Sequence, residues 1–250
     1  MSATIYHGDC LEILRGMADA SVDAVVTDPP YSSGGMFRGD RTQAVDAKYV
    51  NTNAINSRRV HFSGDTMDQR SLYSFSLLWM GEALRVTKHG GCIVVFTDWR
   101  QLPLFSDAIQ GAGWIWRNVG TWWKPGTRMQ RGRFSSSAEY ILYGSRGVPT
   151  PGKKSPQNVF SHPSMKGANK EHICQKPLQV MRWAIGVVPE NGTILDPFVG
   201  SGSTGEAAVL EGYHFLGVEK EAHFAEIAKA RITKAKAERG EMLPLVEVAA

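Results

Sequence analysis

Apolar residues come in short blocks along this chain, spaced by polar and glycine-rich turns. Val22 to Val26 and Cys92 to Phe96 are nearly continuous apolar runs, the pattern of strands buried on both faces. Ile5 to His7, Thr193 to Leu195 and His214 to Glu219 read as further short strands, and Trp114 to Trp123 and Tyr140 to Tyr143 as two more. Helical spacing lies between them. Cys10 to Met17, Leu72 to Val86 with Gly91 marking its end, Leu102 to Gln110, Leu178 to Val188, Glu206 to Leu210 and Ala222 to Glu238 all fit. Strands alternating with helices predict an α/β fold. Residues 32–68 break the pattern: they are polar, carry Gly34, Gly35, Arg38, Arg41, Arg58 and Arg59, and show no periodicity. A loop that long in a compact domain is either functional or disordered.

Two of the strands run straight into unusual turns. Val22 to Val26 leads to Asp28-Pro29-Pro30-Tyr31. A carboxylate (Asp28) and a backbone carbonyl (Pro29) can each accept one N–H of an amino group on a flat ring, drawing that poor nucleophile towards a tetrahedral geometry. The prolines Pro29 and Pro30 remove backbone donors and stiffen the loop, and Tyr31 offers a stacking face. A plain Pro-Pro turn closing a strand is the alternative. Thr193 to Leu195 leads to Asp196-Pro197-Phe198-Val199-Gly200-Ser201-Gly202-Ser203-Thr204-Gly205, a strand, glycine turn and helix start with GxGxxG spacing. Glu219 closes the next strand about 20 residues on, where a ribose-binding acid belongs in such units. A capped helix followed by a surface acid would give the same letters.

Taken together, these blocks resemble the β class of S-adenosylmethionine-dependent DNA amino-methyltransferases, which make N6-methyladenine or N4-methylcytosine. His7-Gly8-Asp9-Cys10-Leu11, Asp28 to Tyr31, Gln175-Lys176-Pro177, and Asp196 to Gly205 with Glu219 match in order. The likeness is close over residues 5–31 and 172–235. It implies a Rossmann-like methyltransferase fold, with a mostly parallel seven-stranded sheet, helices on both faces and the permuted order in which the catalytic tetrapeptide precedes the cofactor loop. It also implies roles. Asp28 and the Pro29 carbonyl hold the target amino group, with Pro30 in the same loop and Tyr31 on the flipped base. Asp9 and the Cys10 backbone lie near the cofactor adenine, and Glu219 binds its ribose. Asp196, Pro197, Phe198, Gly200, Ser201 and Gly202 line the methionine end, and Lys176 pairs with the cofactor carboxylate. Many members read His-Pro-Thr before Gln-Lys-Pro; this chain has His172-Ile173-Cys174 there. Aspartate at the first tetrapeptide position is commoner in the adenine-modifying members, so the resemblance points to N6-adenine with N4-cytosine as the alternative. An RNA or protein amide methyltransferase and a DNA-binding regulator with a decayed site are the rival classes.

Charge sharpens this picture. The net +4 conceals a basic stretch, 114–175, with ten Lys/Arg and two acids, a balance of +8 against −4 for the remainder. Arg117, Lys124, Arg128, Arg131 and Arg133 are interleaved there with Trp114, Trp116, Trp122, Trp123 and Phe134, and Lys153, Lys154, Lys166 and Lys170 follow. The basic residues fit phosphate neutralisation along double-stranded DNA. The tryptophans fit either strand core or platforms for bases. The expected organisation is therefore a catalytic part over 1–113, with residues 32–68 as a mobile flap or a plain insertion. A basic target-recognition insert over 114–175 and a cofactor-binding part over 176–250 complete it. A 42% apolar content supports a sizeable core. Three scattered cysteines suggest free thiols in a reducing cytoplasm, and seven scattered histidines suggest no metal. No signal peptide or membrane-length apolar run is evident. A homodimer fits the family habit. The lack of a nuclease-like cluster fits a stand-alone or phage-type enzyme better than a restriction–modification fusion.

Overall fold

The apolar runs form the middle of one sheet. The computed structural model describes residues 1–31, 67–129, 131–165, 176–240 and 247–249. Its strands are β1 (Ala3–His7), β2 (Val22–Thr27), β3 (Thr87–Thr97), β4 (Ile115–Trp123), β5 (Ala138–Ser145), β6 (Val159–Ser161), β7 (Thr193–Asp196), β8 (His214–Glu219) and β9 (Glu247–Ala249). The helices are α1 (Cys10–Gly16), α2 (Gln69–Val86), α3 (Leu102–Gly111), α4 (Leu178–Ala184), α5 (Ser203–Glu211) and α6 (Ala222–Glu238). The strand order is β6-β4-β5-β3-β2-β7-β8-β1-β9. Only β5 runs antiparallel to its neighbours, so the sheet is mostly parallel, as a Rossmann-like plan requires. The expected seven strands are all present, but the sheet has nine. The extra two, β6 and β9, are three-residue edge strands whose sequences are too short to carry a period.

Both faces are covered, which is why the central strands show no polar alternation. In β3, Cys92, Val94 and Phe96 pack towards one hydrophobic cluster, with α4, α5 and α6; Ile93 and Val95 pack towards the other, with α1, α2 and α3. Helix α2 starts earlier than its apolar stripe because Asp68 caps it, accepting from the Arg70 and Ser71 N–H groups at 2.9 and 3.1 Å. It ends at Val86, as expected, but Gly91 does not mark that end. The Thr87 hydroxyl bonds back to the Ala83 carbonyl at 2.7 Å and β3 begins at once. Gly91 serves the sheet instead: a Cβ there would lie 2.6 Å from the Asp23 carbonyl oxygen, beside the irregular register between β2 and β3. The helix expected over Leu178 to Val188 stops at Ala184 and tightens into a 3₁₀ turn over Ile185–Val187.

Strands β4 to β6, from the basic stretch, continue this same sheet. Residues 32–66, most of the expected flap, lie outside the described residues, as do Lys166, Lys170 and Cys174. Among the described residues no helix is long and apolar enough to cross a membrane. None of them form a group of three His, Cys, Asp or Glu able to hold a metal ion.

Candidate active site

The chain leaves β2 for β3 on one side of the sheet and leaves β7 for β8 on the other, so β2 and β7 flank the point where the winding reverses. Ligands of open α/β sheets bind at the carboxyl ends of the strands at such a point. Asp28 follows the last residue of β2, and Asp196 is the last residue of β7. The Thr27 hydroxyl donates to the Asp196 carboxylate at 2.6 Å across 169 positions of sequence. Thus the tetrapeptide and the glycine loop, remote in the chain, open side by side.

The glycine loop is built around two buried acids. Asp196 also accepts from the Phe198 N–H at 3.0 Å, which shapes the turn. Burial pushes its carboxyl up to about 6, against the Thr204, Thr27 and Phe198 donors, which pull it down. Phe198 is fixed edge-on by Trp79, with ring centroids 5.3 Å apart. Gly202 adopts φ +85° as the residue before α5, and a Cβ there would meet the Ala228 Cα of α6 at 2.8 Å. The Glu219 carboxylate spans the next gap, accepting from Gly200 N–H at 2.8 Å and Glu221 N–H at 2.9 Å. Its carboxyl is also raised, chiefly by burial.

The next strand along carries Asp9 and Cys10. In the register of β1 and β8, His7 lies opposite Glu219, and the Gly8 N–H bonds the Glu219 carbonyl at 3.0 Å. Asp9 caps α1 through the Leu11 N–H at 3.0 Å, and Cys10 is buried with its thiol pushed up to about 12 by desolvation. Asp9, Asp196, Gly200 and Glu219 therefore share one edge of the sheet, the edge of Asp28. The open N-terminus of α5 faces the same way. Polar backbone and acids line this cradle, suited to hydroxyl and amine groups.

On its other side Asp28 meets the basic stretch. Lys176, just before α4, is 6% exposed and ion-paired to Asp28. Its ammonium also lies 3.4 Å from Glu139, 6.0 Å from the Tyr31 ring centroid and 5.4 Å from that of Phe96. Glu139 in turn holds Lys124 at 3.0 Å. Burial alone would push the Glu139 carboxyl up, but Lys176 and Lys124 overcome it and hold the group below the usual carboxylate range. Two cations and two anions thus alternate from β4 to the tetrapeptide.

A family model described as DNA methylase, of the N6/N4 type, matches residues 22–156 and 143–230, a span that holds Asp28, Glu139, Lys176, the glycine loop and Glu219. The chain belongs to that family.

Among curated relatives, the methylase is similar to the type II methyltransferase M2.MboI of Moraxella bovis, 26% identical over 91% of this chain and 86% of the relative. It is likewise 26% identical to the type II methyltransferase M.HinfI of Haemophilus influenzae, over 93% of this chain and 69% of that one. Its fold is that of TTHA0409 from Thermus thermophilus, solved as a complex with S-adenosyl-L-methionine. The TM-score is 0.70 at 19% identity, covering 99% of this chain and 100% of that one. The cytosine-N4-specific PvuII DNA methyltransferase superposes with a TM-score of 0.71 at 15% identity, covering 99% and 96%.

The basic residues of the methylase divide between the two edges of the sheet. Lys124 lies at the Asp28 edge, paired with Glu139, and Arg128, Arg131 and Arg133 sit exposed in the β4–β5 turn at that edge. Arg117 lies at the opposite edge, where it donates to the Ser145 hydroxyl and the Gly147 carbonyl. Lys153 and Lys154 are there too, on the Glu211 carbonyl at 2.8 Å and its carboxylate at 3.0 Å. The tryptophans also divide. Trp114 and Trp122 are core, their indole N–H groups on the Met80 and His162 carbonyls at 3.0 and 2.7 Å, whereas Trp116 and Trp123 are exposed.

Three residues of this site escape a reading of motifs. Glu139 is one of only two acids in the basic stretch, which was its available signal. Trp99, 58% exposed beside Arg100 in the turn after β3, has no local signal at all. Arg231 on α6 braces the glycine loop through the Ser201 and Ser203 hydroxyls at 3.3 and 3.1 Å, a contact that only tertiary packing creates.

Proposed function

We propose that this DNA methylase transfers the methyl group of S-adenosylmethionine to the N6 amino group of an adenine rotated out of duplex DNA. The Thr27–Asp196 hydrogen bond carries the reading, because it sets the amino-group acceptors of the tetrapeptide beside the cradle of the glycine loop. In that cradle Glu219 takes the cofactor ribose, Asp9 and the Cys10 backbone flank its adenine, and Asp196 to Gly202 line its methionine end. Two buried, raised carboxyls suit a ligand that brings a sulfonium and an ammonium.

Asp28 and the Pro29 carbonyl accept the two N–H bonds of the target, and Tyr31 stacks on the base. The amino lone pair attacks the methyl carbon in line, the carbon–sulfur bond breaks towards sulfur, and S-adenosylhomocysteine leaves. The methylated nitrogen then sheds a proton, with Asp28 as the nearest carboxylate. Position and electrostatics supply most of this chemistry. A base must leave the stack before Asp28 can reach it, at a cost of a few kcal/mol. Stacking on Tyr31 and phosphate contacts from Arg128, Arg131 and Arg133 offset that cost. Adenine is favoured over cytosine because the family resemblance associates aspartate at position 28 with adenine.

The test is nucleoside mass spectrometry of unmethylated duplex DNA incubated with the protein and S-adenosylmethionine. N6-methyladenine is expected from the parent. Asp28→Ala should form none while binding the cofactor nearly as tightly. N4-methylcytosine would reverse the choice of base, and methylation of RNA or peptide alone would overturn the DNA reading.

A further inference from the structure

The ion chain beside Asp28 raises a question of supply and demand for one carboxylate. Asp28 has to accept an amino N–H, yet a buried ammonium already lies on it. A buried cation needs counter-charge. Lys176 engages only the Oδ2 of Asp28, so a sole counter-ion would lose charge rather than a binding site: the ammonium would draw off the negative charge that makes the carboxylate a strong acceptor. Glu139 supplies a second carboxylate on the same ammonium, at 3.4 Å, from the start of β5. Lys124 then balances Glu139, so the chain of four is neutral and no charge is stranded.

We infer that Glu139 is a positioning residue for methyl transfer: by sharing the Lys176 ammonium with Asp28, it keeps the Asp28 carboxylate available to the substrate amino group. The inference rests on the proposed transfer to a DNA base. Glu139 itself touches neither base nor cofactor in that reading; it acts through Lys176. The backbone holds it in place. Its strand partner is Trp122, and the Lys124 N–H bonds the Ser137 carbonyl at 2.7 Å, closing the turn that carries Arg128 to Arg133. The same strand ends thus anchor the exposed arginines and the counter-ion of the catalytic loop.

Among the described residues, those that face Lys176 include Asp28 and Tyr31 after β2, Phe96 of β3 and Glu139 of β5; Lys124 lies behind Glu139, and the Asp28 charge in turn helps to raise the Asp196 carboxyl. In Glu139→Gln the shape stays but the shared charge goes. Lys176 then bears more heavily on Asp28, and transfer should slow by about tenfold or more near neutral pH, the cost of roughly one lost charge-assisted contact. With one counter-ion fewer, Lys176 also gives up its proton at lower pH than in the parent. Its hold on Asp28 then loosens, so the ratio of the variant's rate to the parent's should climb as the solution is made alkaline.

The experiment is single-turnover methylation across pH for the parent, Glu139→Gln and Glu139→Asp, with cofactor affinity and thermal unfolding measured on each. The expected order near neutral pH is parent, then Asp, then Gln, with alkaline recovery in Gln and cofactor affinity within about twofold throughout. Glu139→Asp keeps the charge and guards against a Gln variant that does not fold: there the expected signature is a partial loss with partial recovery. A loss that is uniform in pH in the folded variants, or no loss at all, overturns the inference by reducing Glu139 to a stabilising ion pair. A parent inactive on DNA would instead remove the proposed function beneath it.

Discussion

Asp196 shows how a single residue can be tuned at the expense of the empty protein. Its carboxyl is wholly buried and raised to about 6, so the ionised form is disfavoured by folding despite three donors. Between the ordinary carboxylate range and about 6, the folded chain holds a proton that the unfolded chain has lost. Stability of the cofactor-free protein therefore falls as pH rises through that window and levels off above it. Asp196→Asn retains an amide oxygen for the Thr27 and Phe198 donors and removes the ionisation. It should stabilise the empty protein near neutral pH by up to about 2 kcal/mol and flatten the profile between about pH 4 and 6, as read by denaturant unfolding. A variant no more stable than the parent would mean that the ionised acid is better solvated in the fold than its burial implies. The same reasoning makes ligands with positive groups bind more tightly above about pH 6 than below it. Cys10 and Cys92 show the same effect on thiols. Both thiols are pushed up to about 12 by burial, so thiol reagents should label neither until the protein unfolds.

At the level of elements, the glycine loop is only as good as the helix pair behind it. Gly202 combines φ +85° with a close approach to the Ala228 backbone of α6. Gly202→Ala should cost about 1–3 kcal/mol through strain and overlap, seen as a lowered Tm, and should weaken cofactor binding along with it. An unchanged Tm would show that α5 and α6 separate easily. This part of the site was legible in sequence because backbone geometry demands particular letters: glycine at the turn, an acid at a strand end, proline where donors are unwanted. The central strands were legible because burial on both faces leaves an unbroken apolar run. Element ends were less so. Asp68 extends α2 beyond its apolar stripe, and Thr87 rather than Gly91 closes it. Glu139 and Arg231 were not legible as site residues, since each gains its place from a strand or helix far away in the chain.

For the whole molecule, the sheet has two edges and the charge reading of the sequence mixed them. The +8 of residues 114–175 looks like one basic surface when counted along the chain. In space, β4 carries it from one edge to the other. Arg117, Lys153 and Lys154 finish on backbone carbonyls, a hydroxyl and the Glu211 carboxylate at the edge away from Asp28. Lys124 is paired with Glu139, and Arg128, Arg131 and Arg133 are exposed at the Asp28 edge. In the proposed reaction, duplex DNA would lie across that second edge to present a base to Asp28. Each phosphate neutralised by the protein adds about 0.9 to the slope of log affinity against log salt. Replacing the three arginines by glutamine together should therefore lower that slope by up to about 3 and weaken binding similarly on every DNA sequence. The matched variant with Arg117, Lys153 and Lys154 replaced should keep the parent slope, while losing some stability through its broken contacts with Ser145, Gly147 and Glu211. Fluorescence titrations of one duplex at several salt concentrations measure both slopes. If the second set lowers the slope and the first does not, the DNA approaches from the other edge, and the acceptors of the tetrapeptide face away from it.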